Sequence, residues 1–231
     1  AEASASMTGT AQPPATMSET FGPTEPAVDL LFSVDQSGSM DDDARNLASS
    51  FPRFAVEIES YTADWQILVA NDDDGCRDTD IITPATPNYE ALFEAAIQAG
   101  GGWYTEALLT VANTALQNTG PGECNQGFLR DDALLHVVLV SDEPEQSFEP
   151  WSTLVAAMQA AKPDAAQLRI SAVAGDYPSG CGSASAGTGY YEAAQATGGA
   201  FLSICDSWTN TVDALAAASA WAWLFELSET P

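Results

Sequence analysis

Apolar positions along the chain follow two alternating patterns. Short runs rich in β-branched residues, at Val28 to Val34, Trp65 to Ala70, Leu134 to Val140, Leu168 to Val173 and Ala200 to Ser203, predict strands, with a weaker one near Ile81. Between them, "DDARNLASSFPRFAVEIESY", "PNYEALFEAAIQAG", "TEALLTVANTALQ", "PWSTLVAAMQAA", "GTGYYEAAQATG" and "SWTNTVDALAAASAWAWLF" return an apolar residue every three or four positions, which predicts helices. Leu47, Phe51, Phe54, Ile58 and Tyr61 form one such stripe, and Pro52 predicts a kink within it. Ser207 or Asp206 is placed to cap the last helix, and the "TGG" at 197–199 to close the one before it.

This alternation predicts an α/β fold, a mainly parallel sheet with helices on both faces. "LLHVVLV" has no polar alternation except His136, as a strand buried on both faces requires. No linker interrupts the chain from residue 27 onwards, so residues 27–231 read as one domain. Residues 1–26, rich in Ala, Thr, Ser and Pro, read as a flexible leader or tether of a mature or excised fragment. "AWAWLFELSETP" reads as core-facing helix followed by the start of another strand, as in a segment of a longer chain or assembly.

Composition narrows the function. The 231 residues carry 33 Asp and Glu against 6 Lys and Arg, a formal net charge of -27. Such a surface repels phosphate backbones and anionic membranes, which argues against nucleic-acid binding. It reads either as the solvated coat of a salt-adapted protein or as a field that concentrates cations. No apolar run is long enough to span a bilayer, so direct membrane insertion is not expected.

Cys76, Cys124, Cys181 and Cys205 permit three pairings and form no CxxC. Two disulfides in an oxidising compartment account for them better than zinc or redox chemistry, and loop placement favours Cys76 with Cys124 and Cys181 with Cys205. The chain's one histidine, His136, reads as a packed residue of a buried strand.

"LLFSVDQSGSMDDD" carries the most chemistry. Asp35, Ser37 and Ser39 occupy alternate positions where an apolar strand runs out, the end of a parallel strand at which binding groups gather. A carboxylate with two hydroxyls is a set of hard oxygen ligands, suited to Mg²⁺, Mn²⁺ or Ca²⁺. The plainer reading is an Asx or serine turn that caps the following helix. Asp142 leaves the second buried strand in "VVLVSDEPEQS" as Asp35 leaves the first, and brings a second acid to the same end. Asp41, Asp42 and Asp43 read as an auxiliary cation rim or as acids favoured at a helix N-terminus. "NDDDGCRDTD" lacks the spacing of an EF-hand and reads as a solvated loop pinned by Cys76. "AGDYPSGCGSASAGTGYY" reads as a long loop on the binding face, with Tyr177, Tyr190 and Tyr191 available to a partner or to packing.

"VDLLFSVDQSGSM" resembles the first strand and metal-ion-dependent adhesion site of von Willebrand factor A domains, with the DxSxS motif at Asp35, Ser37 and Ser39. "GFLRDDALLHVVLVSDEPEQS" is similar to that family's later strand and aspartate, here Asp142, and especially to secreted or surface members from Gram-negative bacteria. The resemblance implies a single Rossmann-like domain and a cation, Mg²⁺ foremost, whose open position accepts a carboxylate from a protein or other surface ligand. That family also supplies a threonine from a loop opening a helix. This chain reads "AGGGWYTEALL", with Gly102 at the expected place and Thr105 three residues later. Either Thr105 or water completes the site, and Thr105 is equally placed to be a helix N-cap.

The resulting expectation is a non-enzymatic, cation-dependent adhesion module that is secreted or at the cell surface. The alternative is a structural or assembly segment of a larger surface or fibre protein. A metal-assisted hydrolase using Asp35 and Asp142 lacks a GxSxG elbow, an HExxH motif and a histidine near the acidic loops.

Overall fold

Val28–Val34 (β1) and Leu134–Ser141 (β3) are buried at every residue, and they lie side by side at the centre of the sheet. The computed structural model describes residues 27–99 and 106–220. The leader at 1–26, the turn containing Gly102 and Thr105, and the aromatic segment from 221 onwards lie outside the described residues. The remaining described strands are Trp65–Val69 (β2), Leu168–Ala174 (β4) and Phe201–Ser203 (β5). All pairings are parallel, in the order β2-β1-β3-β4-β5.

The described helices are Asp41–Glu59 (α1), Tyr89–Gln98 (α2), Leu108–Gln117 (α3), Trp151–Ala160 (α4), Tyr190–Thr197 (α5) and Trp208–Ala218 (α6). Side-chain alternation along the strands divides the core in two. Val28, Leu30, Phe32 and Val34 of β1 pack with Phe51, Phe54, Phe93 and Val212 under α1, α2 and α6. Leu31 of β1, with Leu135, Val137 and Leu139 of β3, packs with Leu109, Leu154 and Ala193 under α3, α4 and α5. Phe93 stacks on Phe51 at 3.8 Å between centroids and meets Phe32 edge-on at 5.2 Å, locking α1 and α2 to the sheet. The result is the Rossmann-like α/β arrangement that the strand and helix patterns imply.

Some expectations are corrected in detail. Ile81 starts no strand; its neighbour Ile82 makes an isolated antiparallel bridge to Ile67 on the outer side of β2. Pro52 lies inside α1, which continues through it to Glu59. Ser207 is the N-cap of α6, but its side chain makes no capping bond. The close of α5 is as expected: Gly198 takes the left-handed conformation with φ 68°.

The disulfides join Cys76 to Cys124 and Cys181 to Cys205, as loop placement favours. The "NDDDGCRDTD" loop is docked rather than merely solvated. Buried Asn125 donates to the carbonyls of Gly75 and Ala115, and a Cβ on Gly75 would lie 2.5 Å from the Ala115 nitrogen.

His136 is fully buried on the α6 side of β3, between Ser171 of β4 and Ser219 at the end of α6, each at 2.7 Å. The Ser219 hydroxyl donates to the Leu215 carbonyl, and the Ser171 hydroxyl accepts from the Ala200 amide. The set closes when neutral His136 donates from Nδ1 and accepts at Nε2. Burial first, then the Arg169 charge, lowers its pKa from 6.5 to about 3. The unfolded chain therefore takes up a proton below pH 6.5 that the fold refuses until about pH 3, and stability falls as pH falls through that window. His136→Gln is expected to be less stable than wild type at pH 7, with a gap that narrows by about 2–3 kcal/mol by pH 4.5. Urea unfolding of both proteins at the two pH values checks this, and a gap independent of pH would contradict it.

Candidate functional site

β1 and β3 end at the same level because Val34 pairs with Val140, and the Asp35 amide donates to the Val140 carbonyl at 2.9 Å. The chain leaves β1 for β2 on one side and reaches β3 on the other, so this seam is the sheet's topological switch point. Two backbone exits there aim four expected residues at one place. Asp35 Oδ1 accepts the Ser37 amide at 2.7 Å, and Asp35 Oδ2 accepts the buried Ser141 hydroxyl at 2.8 Å. This is the Asx turn that formed the plainer reading, and it also turns the two serines upward. Ser37 Oγ lies 3.0 Å from Ser39 Oγ, and Ser39 Oγ donates to Asp142 Oδ1 at 3.3 Å.

Asp35 and Asp142 are buried, Ser37 is half-buried and Ser39 is exposed, so the cluster has an acidic floor and an open rim. Burial raises the pKa of Asp142; its bond from Ser39 opposes this, and the nearby charges of Asp35 and Asp42 add to the rise. Glu106, which the sequence reading did not single out, is buried beside this floor. Its pKa is raised first by burial and then by Asp35, Glu143 and Asp142. Its position just after Thr105 was the available signal. Among the described residues no three His, Cys, Asp or Glu side chains are arranged to hold a metal ion, so any cation here relies on the serine hydroxyls.

The surrounding loops are braced by residues with no evident chemical motif. Buried Asn71 accepts the Val34 amide at 3.0 Å and donates to the Ala96 and Ala99 carbonyls, fixing the exit of β1 to the end of α2. Gln36 donates to the Val34 and Ile97 carbonyls across the same gap. On the other side the long loop after β4 straps the Asp142 loop, with the Ser185 amide on the Asp142 carbonyl at 2.8 Å. Gly175 allows this approach, since a Cβ there would lie 1.9 Å from the Ser185 carbonyl oxygen.

Asp41, Asp42 and Asp43 form the first turn of α1; Asp43 bonds to Trp208, while Asp41 and Asp42 are exposed. The three tyrosines separate. Tyr190 is buried and donates to the Glu106 carbonyl at 2.6 Å, whereas Tyr177 stacks on Tyr191 at 4.1 Å and is 42% exposed.

No protein-family model matches the chain, and no curated protein matches it. Among solved structures it is similar to proximal thread matrix protein 1 from the mussel byssus. One crystal form gives 13% identity and a TM-score of 0.50, covering 84% of this chain and 48% of that one. A second structure of the same protein gives 13% identity and a TM-score of 0.49, covering 84% and 46%. This chain thus spans about half the length of the mussel protein, and the likeness is one of fold.

Proposed function

We propose that this chain is a non-enzymatic interaction module of a secreted assembly, docking a carboxylate-bearing partner onto a divalent cation held by Asp35, Ser37, Ser39 and Asp142. The observation that carries the reading is the spacing of the oxygens. Ligands about 2.1 Å from Mg²⁺ in an octahedron lie about 3.0 Å apart along an edge, and those about 2.4 Å from Ca²⁺ lie about 3.4 Å apart. The Ser37–Ser39 separation of 3.0 Å and the Ser39–Asp142 separation of 3.3 Å lie within the range these edges span, which brings three of the four proposed donors close together. The donor set is hard oxygen throughout, which favours Mg²⁺ over softer metals, with Mn²⁺ and Ca²⁺ as alternatives. When bound, the ion supplies a positive point with a free position towards solvent. Thr105 is the proposed further donor, with water as its substitute.

The assembly half of the proposal draws on the likeness to a thread matrix protein. Two disulfides suit an extracellular location. A non-enzymatic role fits a chain whose one histidine is sealed in the core and whose four cysteines are bonded. The DxSxS motif and later aspartate support the cation half through their resemblance to von Willebrand factor A domains.

Calorimetric titration of Mg²⁺ into chelator-treated protein is expected to show one saturable site per chain, lost in Asp35→Ala. Equal binding by the two proteins would overturn the site. At Mg²⁺ 100-fold above Kd, wild type gains about 2.7 kcal/mol of stability. Asp142→Asn is expected to reverse its rank with conditions. Without metal it unfolds at a higher temperature than wild type, because one of two crowded buried carboxylates is neutral. With saturating Mg²⁺ it unfolds at the lower temperature, and thermal scans in chelator and in Mg²⁺ check the crossing.

A further inference from the structure

A cleft of about 270 Å³ opens directly beside the oxygen cluster, between the start of α1 and the end of α2. Asp35 and Ser37 form its inner wall; Met40, Ala44 and Ile97 give it apolar surface, and Arg45 with Gln98 stands at its margin. Its volume suits a side chain or two rather than a large organic ligand.

Arg45 is unusual in this chain. Only six residues are basic. Arg53 pairs with Asp213, and Arg130 with Asp29 and Asp64. Lys162 donates to the Arg130 carbonyl, and Arg169 to the carbonyls of Ala218 and Ala220. Those four hold the fold together, and Arg77 sits in the loop tied by Cys76–Cys124 and does not line the cleft. Arg45 is exposed, lines the cleft, and has no ion pair within 4 Å among the described residues, although Asp41 lies one helical turn before it on the same wall.

We propose that this cleft is a second subsite for an acidic peptide, in which Arg45 receives a carboxylate two or three residues from the one held at the cation. The inference rests on the cation reading above and names the partner class for it. Arg45 follows Ser39 by six positions, an axial rise of about 9–10 Å through the 3-10 turn and the first turn of α1. An extended peptide covers about 7–10 Å in two or three residues. A guanidinium fork suits a carboxylate, and small apolar side chains between the two acids meet Met40, Ala44 and Ile97. On a surface of net charge -27, a dianionic peptide is repelled everywhere except where a cation and an arginine stand side by side.

The test uses Mg²⁺-loaded protein and two blocked tetrapeptides, one with aspartate at both ends and alanines between, the other with the second aspartate replaced by asparagine. Affinities are read by NMR titration. Wild type is expected to bind the diacid about five- to tenfold more tightly than the monoacid. Arg45→Gln loses that preference while keeping wild-type affinity for Mg²⁺ and for the monoacid. Equal affinity of wild type for the two peptides overturns the Arg45 subsite and leaves the cation reading intact. Mg²⁺ binding with neither peptide bound overturns the acidic partner altogether. Absence of Mg²⁺ binding removes the cation site, and this inference with it.

Discussion

The parallel seam between β1 and β3 is the constraint on which everything else depends. Its register sets Val34 beside Val140, so both strands run out together and deliver Asp35, Ser141 and Asp142 to one level. Two carboxylates brought that close repel each other, and burial disfavours ionising Asp142. The seam withstands this because the strands beneath are buried at every residue and hydrogen-bonded along their length. A one-residue slip would move the apolar set of a strand to its other face and separate the acids at the same time. Packing and site geometry are therefore enforced by one interaction.

Beyond the seam, the apex is built from loops, and loops need backbone partners. Asn71 and Gln36 tie the exit of β1 to the end of α2, while the Ser185 strap and the Cys181–Cys205 bond hold the opposite side. Each of these spans elements far apart in sequence. Their combined effect is to hold the loop that carries Asp35, Ser37 and Ser39 against the loop that carries Asp142.

This division explains what was legible in the amino-acid order. β1 was readable to the residue because a short run, apolar except for Asp29 and Ser33, ends sharply in a polar turn at Asp35. The convergence of Asp35 with Asp142 was readable for the same reason, since both leave buried parallel strands. The cysteine pairing favoured by loop placement is the one observed. Ile81 misled because a short apolar patch beside an edge strand yields one bridge as readily as a strand. Asn71, Gln36 and Glu106 were missed because each acts through a distant backbone group or a distant charge, which no local spacing reports. Asn71 in particular stood at the head of an acidic loop that looked uniformly solvated. Arg45 carries no motif of its own, and only the cleft shows what it faces.

The charges also follow the direction of the fold. In a parallel α/β sheet the crossover helices present their N-termini at the strand ends that carry the site and their C-termini at the opposite pole; α2 is an exception here, since its C-terminal end lies beside Asp35. Lys162 follows the end of α4, and Arg169 sits on the last carbonyls of α6, where cations are favoured. Asp41, Asp42 and Asp43 occupy the first turn of α1, where anions are favoured. The acidic apex is thus partly supported by the backbone itself and is not only a consequence of an acidic coat. That support is limited, because a helix terminus carries about half an elementary charge. One such terminus at the start of α1 faces Asp35, Asp142 and three further aspartates, and the one basic side chain lining the adjoining cleft, Arg45, leaves most of that negative charge unbalanced. A divalent cation has the charge and the hard-oxygen preference to balance that excess, which is why the oxygen spacing and the electrostatics of the apex lead to the same proposal.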